Sequence, residues 1–279
     1  MNSPTRQLLY KRSTVCDILR RQINCLAGVM DPLYKFELFL LLTCLGKIGH
    51  GTDIINGQKV PANSMLYMAS VQTNHGHVCG GFLVSEGFVM TAAHCDNNRL
   101  SSVVLGTHDL NTVRQKILIE KKCKPETYKD VGHGHDIMLL KLARKAQMDN
   151  SVQTVPLAES HINIKNAQCH VAGWGKTSTQ GRGVNELRKV DVSIIDPQIC
   201  KEQWYNLPDD VICAGGFGTN KGFCQGDSGG PLVCNGFAVG VVSFNRNFNC
   251  TYPDVPNVYT DITKHLHWIR SIIRQNNCY

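Results

Sequence analysis

Gly226-Asp227-Ser228-Gly229-Gly230-Pro231 is the stretch on which the reading of this chain turns. It sets one hydroxyl among three glycines, so the backbone there is free to approach a bound molecule closely. A serine hydroxyl is a weak nucleophile; it needs a base to take its proton and a third group to orient that base. The stretch therefore predicts a histidine and a carboxylate elsewhere. Thr91-Ala92-Ala93-His94-Cys95 supplies the first, and His135-Asp136-Ile137-Met138-Leu139-Leu140 puts an aspartate at the head of an apolar run.

Around this trio the composition narrows the class. With 279 residues and an apolar fraction of 42%, the chain is long enough for one large domain or two ordinary ones with a sizeable core. Ten of the 13 cysteines follow residue 53, without a paired CxxC metal pattern, which points to disulfides and an oxidising compartment rather than zinc. The formal charge is +7, of which the segment before Ile54 holds +3 (7 Lys+Arg against 4 Asp+Glu) and the body +4. Its basic residues form no stripe with interleaved aromatics, so no specific nucleic-acid partner is expected.

The body reads as short strands over 65–71, 78–84, 87–92, 101–105, 115–120, 137–142, 168–173, 188–194, 231–234 and 237–243. In one of them Val190, Val192 and Ile194 alternate with Lys189, Asp191 and Ser193, the pattern of a half-buried strand. Only 261–276 has helical spacing, with Ile262, His265 or Leu266, Ile269 and Ile273 on one face and Asp261 available as N-cap. Many strands and one terminal helix make an all-β protein.

The order His94, Asp136, Ser228, with Ile54-Ile55-Asn56-Gly57 upstream, resembles the chymotrypsin- and trypsin-like serine proteases, and within them the granzyme, mast-cell protease and duodenase-like group. The resemblance covers 54–279 and implies two six-stranded antiparallel β-barrels with a C-terminal helix, and no cofactor or metal. It implies that Ser228 attacks the scissile carbonyl, that His94 is general base and then acid, and that Asp136 fixes the imidazole. Gly226 and Ser228 match the backbone donors of the oxyanion hole, and Ser243-Phe244-Asn245 matches the family's Ser-Trp-Gly substrate-binding segment. It also implies protein or peptide substrates, macromolecular protease inhibitors and a monomer. The implied disulfides are Cys79–Cys95, Cys169–Cys234, Cys200–Cys213 and Cys224–Cys250, the last of which the granzymes and chymases usually lack. Cys123 and Cys278 are left as a fifth pair, expected to tie the terminal helix to the first barrel. His133 and His135 flank the catalytic loop, with lining a subsite as the alternative role, and His108 resembles a granzyme loop residue. Surface or structural roles are expected for these and for the other histidines outside the trio.

In trypsin-like members an Asp stands six residues before the nucleophile; here that residue is Gly222, followed by Phe223. Asn245 and Asn257 occupy two pocket-wall positions that are usually glycine. Without a carboxylate a basic side chain would be buried unpaired. The expectation is a shallow pocket for small or medium uncharged side chains.

Ahead of Ile54, the apolar run Phe36 to Leu45 is too short to span a bilayer and has the length of a signal-peptide core. Met30 offers a start with a short n-region, giving a signal peptide over 30–51, a propeptide over 52–53 and a non-functional extension over 1–29. A transit peptide is the alternative, against which the cysteine-rich body argues. No transmembrane segment is expected, and the protein reads as secreted or granule-stored. Asp53 in place of Lys or Arg disfavours trypsin-like activation, and the resemblance implies maturation by a dipeptide-removing peptidase, after which the ammonium of Ile54 pairs with buried Asp227. Asn249-Cys250-Thr251 is a glycosylation sequon beside the pocket, expected to be unoccupied. The rival reading is a catalytically silent binding or antimicrobial protein on the same fold.

Overall fold

The computed structural model describes residues 53–278 apart from 161, 166 and 251–254. The extension and signal peptide expected over 1–29 and 30–51, Thr52 of the propeptide, His161 and Thr251 of the sequon lie outside the described residues.

After the two-residue β1 (Gln58–Lys59), six strands follow: β2 (Met68–Thr73), β3 (Gly76–Ser85), β4 (Phe88–Thr91), β5 (Ser102–Leu105), β6 (Gln115–Cys123) and β7 (Met138–Leu142). They close into a barrel in the order β2-β3-β4-β7-β6-β5. The start of β6 shows why these residues make a strand: Gln115 and Ile117 turn inward while Lys116 and Leu118 face solvent.

The second half contributes β8 (Cys169–Gly173), β9 (Arg188–Val192), β10 (Val211–Cys213), β11 (Pro231–Cys234), β12 (Phe237–Phe244) and β13 (Val258–Asp261). Together with β1 they form a sheet in the order β1-β9-β8-β11-β12-β13-β10. A bridge between Ile194 and Ala214, with hydrogen bonds from Ile195 N to Cys213 O (2.8 Å) and from Gly215 N to Ser193 O (3.0 Å), joins the continuations of β9 and β10. That contact brings six of the strands round on themselves and leaves β1 as an addition on β9.

Sequence periodicity passes over β1, β10 and β13, at most four residues each, and over α1 (Pro197–Gln203). The signal for α1 is local: the Asp196 side chain accepts from Gln198 N at 2.9 Å, and Pro197 occupies the first turn, where its missing N–H costs nothing. The terminal helix is a 3-10 turn over Ile262–His265 followed by α2 (Leu266–Gln275), with Asp261 accepting from Thr263 N. Its Leu266, Ile269 and Ile272 join the apolar cluster of the first barrel; Ile272, rather than Ile273, is the buried member of that turn. Fully burying such a side chain contributes about 2 kcal/mol.

The five disulfides are Cys79–Cys95, Cys123–Cys278, Cys169–Cys234, Cys200–Cys213 and Cys224–Cys250. Cys123–Cys278 ties the end of α2 to the end of β6 across 155 residues of sequence. Replacing both cysteines by serine is expected to cost about 2–5 kcal/mol of unfolding free energy, read as a lower denaturant midpoint. An unchanged midpoint would show that apolar docking alone holds the helix.

Candidate active site

Strand pairing brings the first two members of the trio together. β4 and β7 run antiparallel with Thr91 opposite Met138. His94, three residues beyond Thr91, and Asp136, two before Met138, therefore emerge at the same end of the barrel. The imidazole Nδ1 lies 2.7 Å from Asp136 Oδ2, and His94 N donates to Oδ1 at 2.9 Å, so both carboxylate oxygens grip one residue. Asp136 is buried while the His94 side chain is 22% exposed, enough to present Nε2 to a substrate.

Two hydroxyls from the second barrel hold the aspartate from behind. Ser243 Oγ donates to Asp136 Oδ2 at 2.5 Å, and Thr260 Oγ1 donates to the Asp136 carbonyl at 2.9 Å. The Thr260 contact has no sequence signature, because it depends on how β13 lies beneath the loop.

Ser228, half-buried, stands three residues before β11. It is brought to the first barrel by backbone contact: Gly80 N donates to Ser228 O at 2.8 Å, and Cys95 Sγ lies 3.8 Å from the same oxygen. Close approach requires glycine here. A Cβ on Gly229, whose φ is +79°, would sit 2.1 Å from Thr91 Oγ1. Among the described residues no hydrogen bond yet joins the Ser228 hydroxyl to the imidazole, a contact that in acyl-transfer sites often closes only around substrate. The sulfurs of Cys79 and Cys95 near His94 are joined in a disulfide, so this group offers no thiolate to a metal.

Asp227 points the other way, into the second barrel, and is fully buried. Its Oδ1 accepts from Gly175 N at 2.8 Å and its Oδ2 from Cys224 N at 2.9 Å. Gly173 and Gly175 make its cradle: a Cβ on either would lie 2.1 or 2.6 Å from Oδ1. Burial raises the carboxyl to about 7, although the two backbone donors pull it down. Ile54, also fully buried, packs in the second core with Val192, Ala214 and Phe223.

Gly226 has a φ of +99°, and a Cβ there would be 2.9 Å from Gly175 Cα. Its carbonyl lies 2.9 Å from His77 Nε2. A carbonyl only accepts, so Nε2 carries the proton; Nδ1 then accepts from Ser70 Oγ at 2.8 Å, and that oxygen accepts from Gln72 Nε2 at 3.1 Å. Burial lowers His77 to about 4, against the opposing pull of the Gly226 carbonyl. The chain from Gln72 through His77 thus orients the turn that carries the two candidate oxyanion donors, Gly226 N and Ser228 N.

Beside the nucleophile Gly222 is buried, and Phe223 lies edge-on to Tyr259 with ring centroids 5.2 Å apart. Asn257 is fully buried against Gly216, while Asn245 Nδ2 donates to Asn249 O at 3.1 Å. Phe244 lies edge-on to Trp204 at 5.3 Å, and the Arg246 guanidinium sits 5.2 Å above the Trp204 ring. Trp204 and Arg246 thus pack around Phe244 beyond the residues singled out by motif; no spacing in the sequence links them.

With this geometry in view, comparison with known proteins is informative. A family model described as Trypsin matches residues 54–269. Duodenase-1 of Bos taurus is 38% identical over 246 residues, covering 85% of this chain and 96% of the relative. Chymase of Canis lupus familiaris is 36% identical over 252 residues, covering 88% and 99%. Granzyme B of Rattus norvegicus is 33% identical over 252 residues, covering 87% and 100%. Among solved structures neuropsin, described as a serine protease expressed in the limbic system of mouse brain, aligns with a TM-score of 0.72 and 33% identity, covering 78% of this chain and 98% of that one.

His77 generates a prediction whose sign follows from its depressed value. The folded protein takes up this proton less readily than the unfolded chain, so its stabilising contribution is complete above about pH 6.5 and is lost as pH falls toward 4. The loss approaches about 3 kcal/mol at one unit of pKa per 1.36 kcal/mol. Denaturant melts of the wild type and His77→Gln between pH 7 and pH 4 should show a shallower decline in the variant; parallel declines would remove His77 from the acid response.

Proposed function

Because the chain belongs to the trypsin family of serine proteases, we propose that it is an endopeptidase made as a secretory or granule-stored precursor and matured by a cut before Ile54. In this reading Ser228 attacks the scissile carbonyl, and His94 takes its proton and passes it to the departing amine. Water then completes the hydrolysis of the acyl-enzyme. Asp136 fixes the tautomer of the ring and stabilises the imidazolium. The N–H groups of Gly226 and Ser228 receive the oxyanion; losing one such donor typically costs about 10²- to 10³-fold in rate. The observation that carries this reading is the 2.7 Å contact of His94 Nδ1 with an Asp136 oxygen that Ser243 also binds.

Maturation before Ile54 is supported by the backbone. While Asp53 is attached, Ile54 sits at φ +42°, an unfavourable conformation for a β-branched residue and of the kind that costs about 1–3 kcal/mol. The dihedral exists only while that peptide bond exists, so cleavage removes the constraint. It also creates an ammonium at the buried residue that shares a core with the Asp227 loop. A nearby ammonium would favour the charged carboxylate and so offset the desolvation that raises the Asp227 carboxyl. The cut before Thr52, a dipeptide-removing peptidase, and a free, monomeric enzyme acting on proteins and held in check by macromolecular inhibitors complete the proposal.

For the residue before the scissile bond we infer a small or medium uncharged side chain. Gly222 offers no carboxylate, Phe223 and Asn257 take up buried volume, and Asn245 stands at the rim.

A fluorophosphonate probe tests the chemistry: enzyme beginning at Ile54 should be labelled on Ser228, and Ser228→Ala should not. Absence of labelling in folded, matured protein would favour a silent binding protein. Phe223→Ala is expected to raise cleavage after large apolar residues by about tenfold or more, the scale set by a few methylenes in a pocket. A peptide library showing no change in profile, or a wild-type preference for Lys or Arg, would contradict the pocket reading.

A further inference from the structure

We propose that His135, Asp210 and His265 form a binding site for one divalent transition-metal ion, zinc(II) by donor set, beside the Asp136 loop. The three residues come from separate segments: the turn before β7, the loop before β10 and the 3-10 turn before α2. Asp210 Oδ2 lies 2.9 Å from His265 Nε2 and 3.6 Å from His135 Nδ1, and the three donor atoms all lie within 4.8 Å of one another. Donors around a tetrahedral zinc ion with bonds of about 2.1 Å are separated by about 3.4 Å. The side chains thus already stand within about half an ångström of that spacing at the Asp210 oxygen.

The loop is shaped to hold this approach. Gly134 has a φ of +79°, and a Cβ there would meet Asp210 Oδ1 at 2.2 Å, so the residue before His135 leaves room for the carboxylate. His135 itself has a φ of +56°, a left-handed conformation uncommon for a residue with a side chain, and its N–H donates to Asp210 Oδ2 at 2.7 Å. The two imidazoles meet edge to face at 5.5 Å. His265 and Asp210 are largely buried, whereas the His135 side chain is 38% exposed. Entry from solvent and a fourth, water-occupied position therefore lie on the His135 side.

Two neutral imidazoles and one carboxylate with an open position suit zinc, and the same donors disfavour magnesium or calcium, which take oxygen ligands. Binding replaces the proton that now lies between His265 Nε2 and the carboxylate. His135 precedes Asp136 directly, so a bound ion would tie the catalytic loop to the root of the terminal helix. Such an ion would position the loop whichever peptide the enzyme cleaves.

Isothermal titration of the folded, metal-stripped protein with zinc chloride tests it, using Ser228→Ala to prevent self-cleavage. One ion per chain should bind, and the melting temperature should rise by roughly 5 °C at about 100-fold excess over Kd. His135→Asn, at an exposed position, and His265→Gln should each weaken binding at least tenfold while far-ultraviolet circular dichroism is unchanged. If His265→Gln fails to fold, His135→Asn decides. No binding at millimolar zinc, or binding that survives the His135 substitution and so places the ion elsewhere, such as at His94, would overturn the proposal.

Discussion

A carboxylate with no exposed surface, hydrogen-bonded among the described residues only by backbone N–H groups from two loops, is the constraint on which the candidate active site depends. Asp227 accepts from Gly175 and Cys224 and lies where side chains on Gly173 or Gly175 would collide with it. Leaving one charge buried and unpaired costs about 3–5 kcal/mol. That sum is comparable with much of the stability of a domain, so the conformation of residues 224–228 is sensitive to whether a cation reaches them. The neighbouring Ser228 faces the first barrel, which makes one turn answerable to two cores.

The geometry of the candidate active site is a product of two sheets meeting rather than of any one element. β4 and β7 fix His94 against Asp136, and β12 and β13 supply the hydroxyls behind that aspartate. The nucleophile reaches them only because Gly80, Gly229 and Gly230 let backbone pass backbone at contact distance. His77 performs a comparable service for Gly226, and desolvation in its half-buried position disfavours its charged form. Rigid positions of this kind pre-organise donors before charge develops, which is where most of the electrostatic contribution to acyl transfer lies.

Much of the fold was legible because strand alternation and apolar runs report burial directly, as at Val190 and Val192. The candidate trio stood out because its members sit in short local motifs. What escaped was made by packing: β10 and β13 are too short for a period to register, and the contacts of His77 with Gly226, of Thr260 with Asp136 and of Asp210 with His135 and His265 each span more than 50 residues of sequence. His135 and His265 looked scattered for the same reason. Phe223 was noticeable as a bulky residue next to Gly222, but its edge contact with Tyr259 belongs to the three-dimensional core.

The central claim is that Asp227 must meet the new ammonium of Ile54 before Ser228 becomes reactive. Its most direct test is active-site titration, by burst kinetics with an activated ester, of two proteins that differ only in starting at Ile54 or at Asp53. The account predicts a burst near one equivalent for the first and one lower by at least about 100-fold for the second, the population shift that roughly 3 kcal/mol confers. Equal bursts from the two proteins would contradict it.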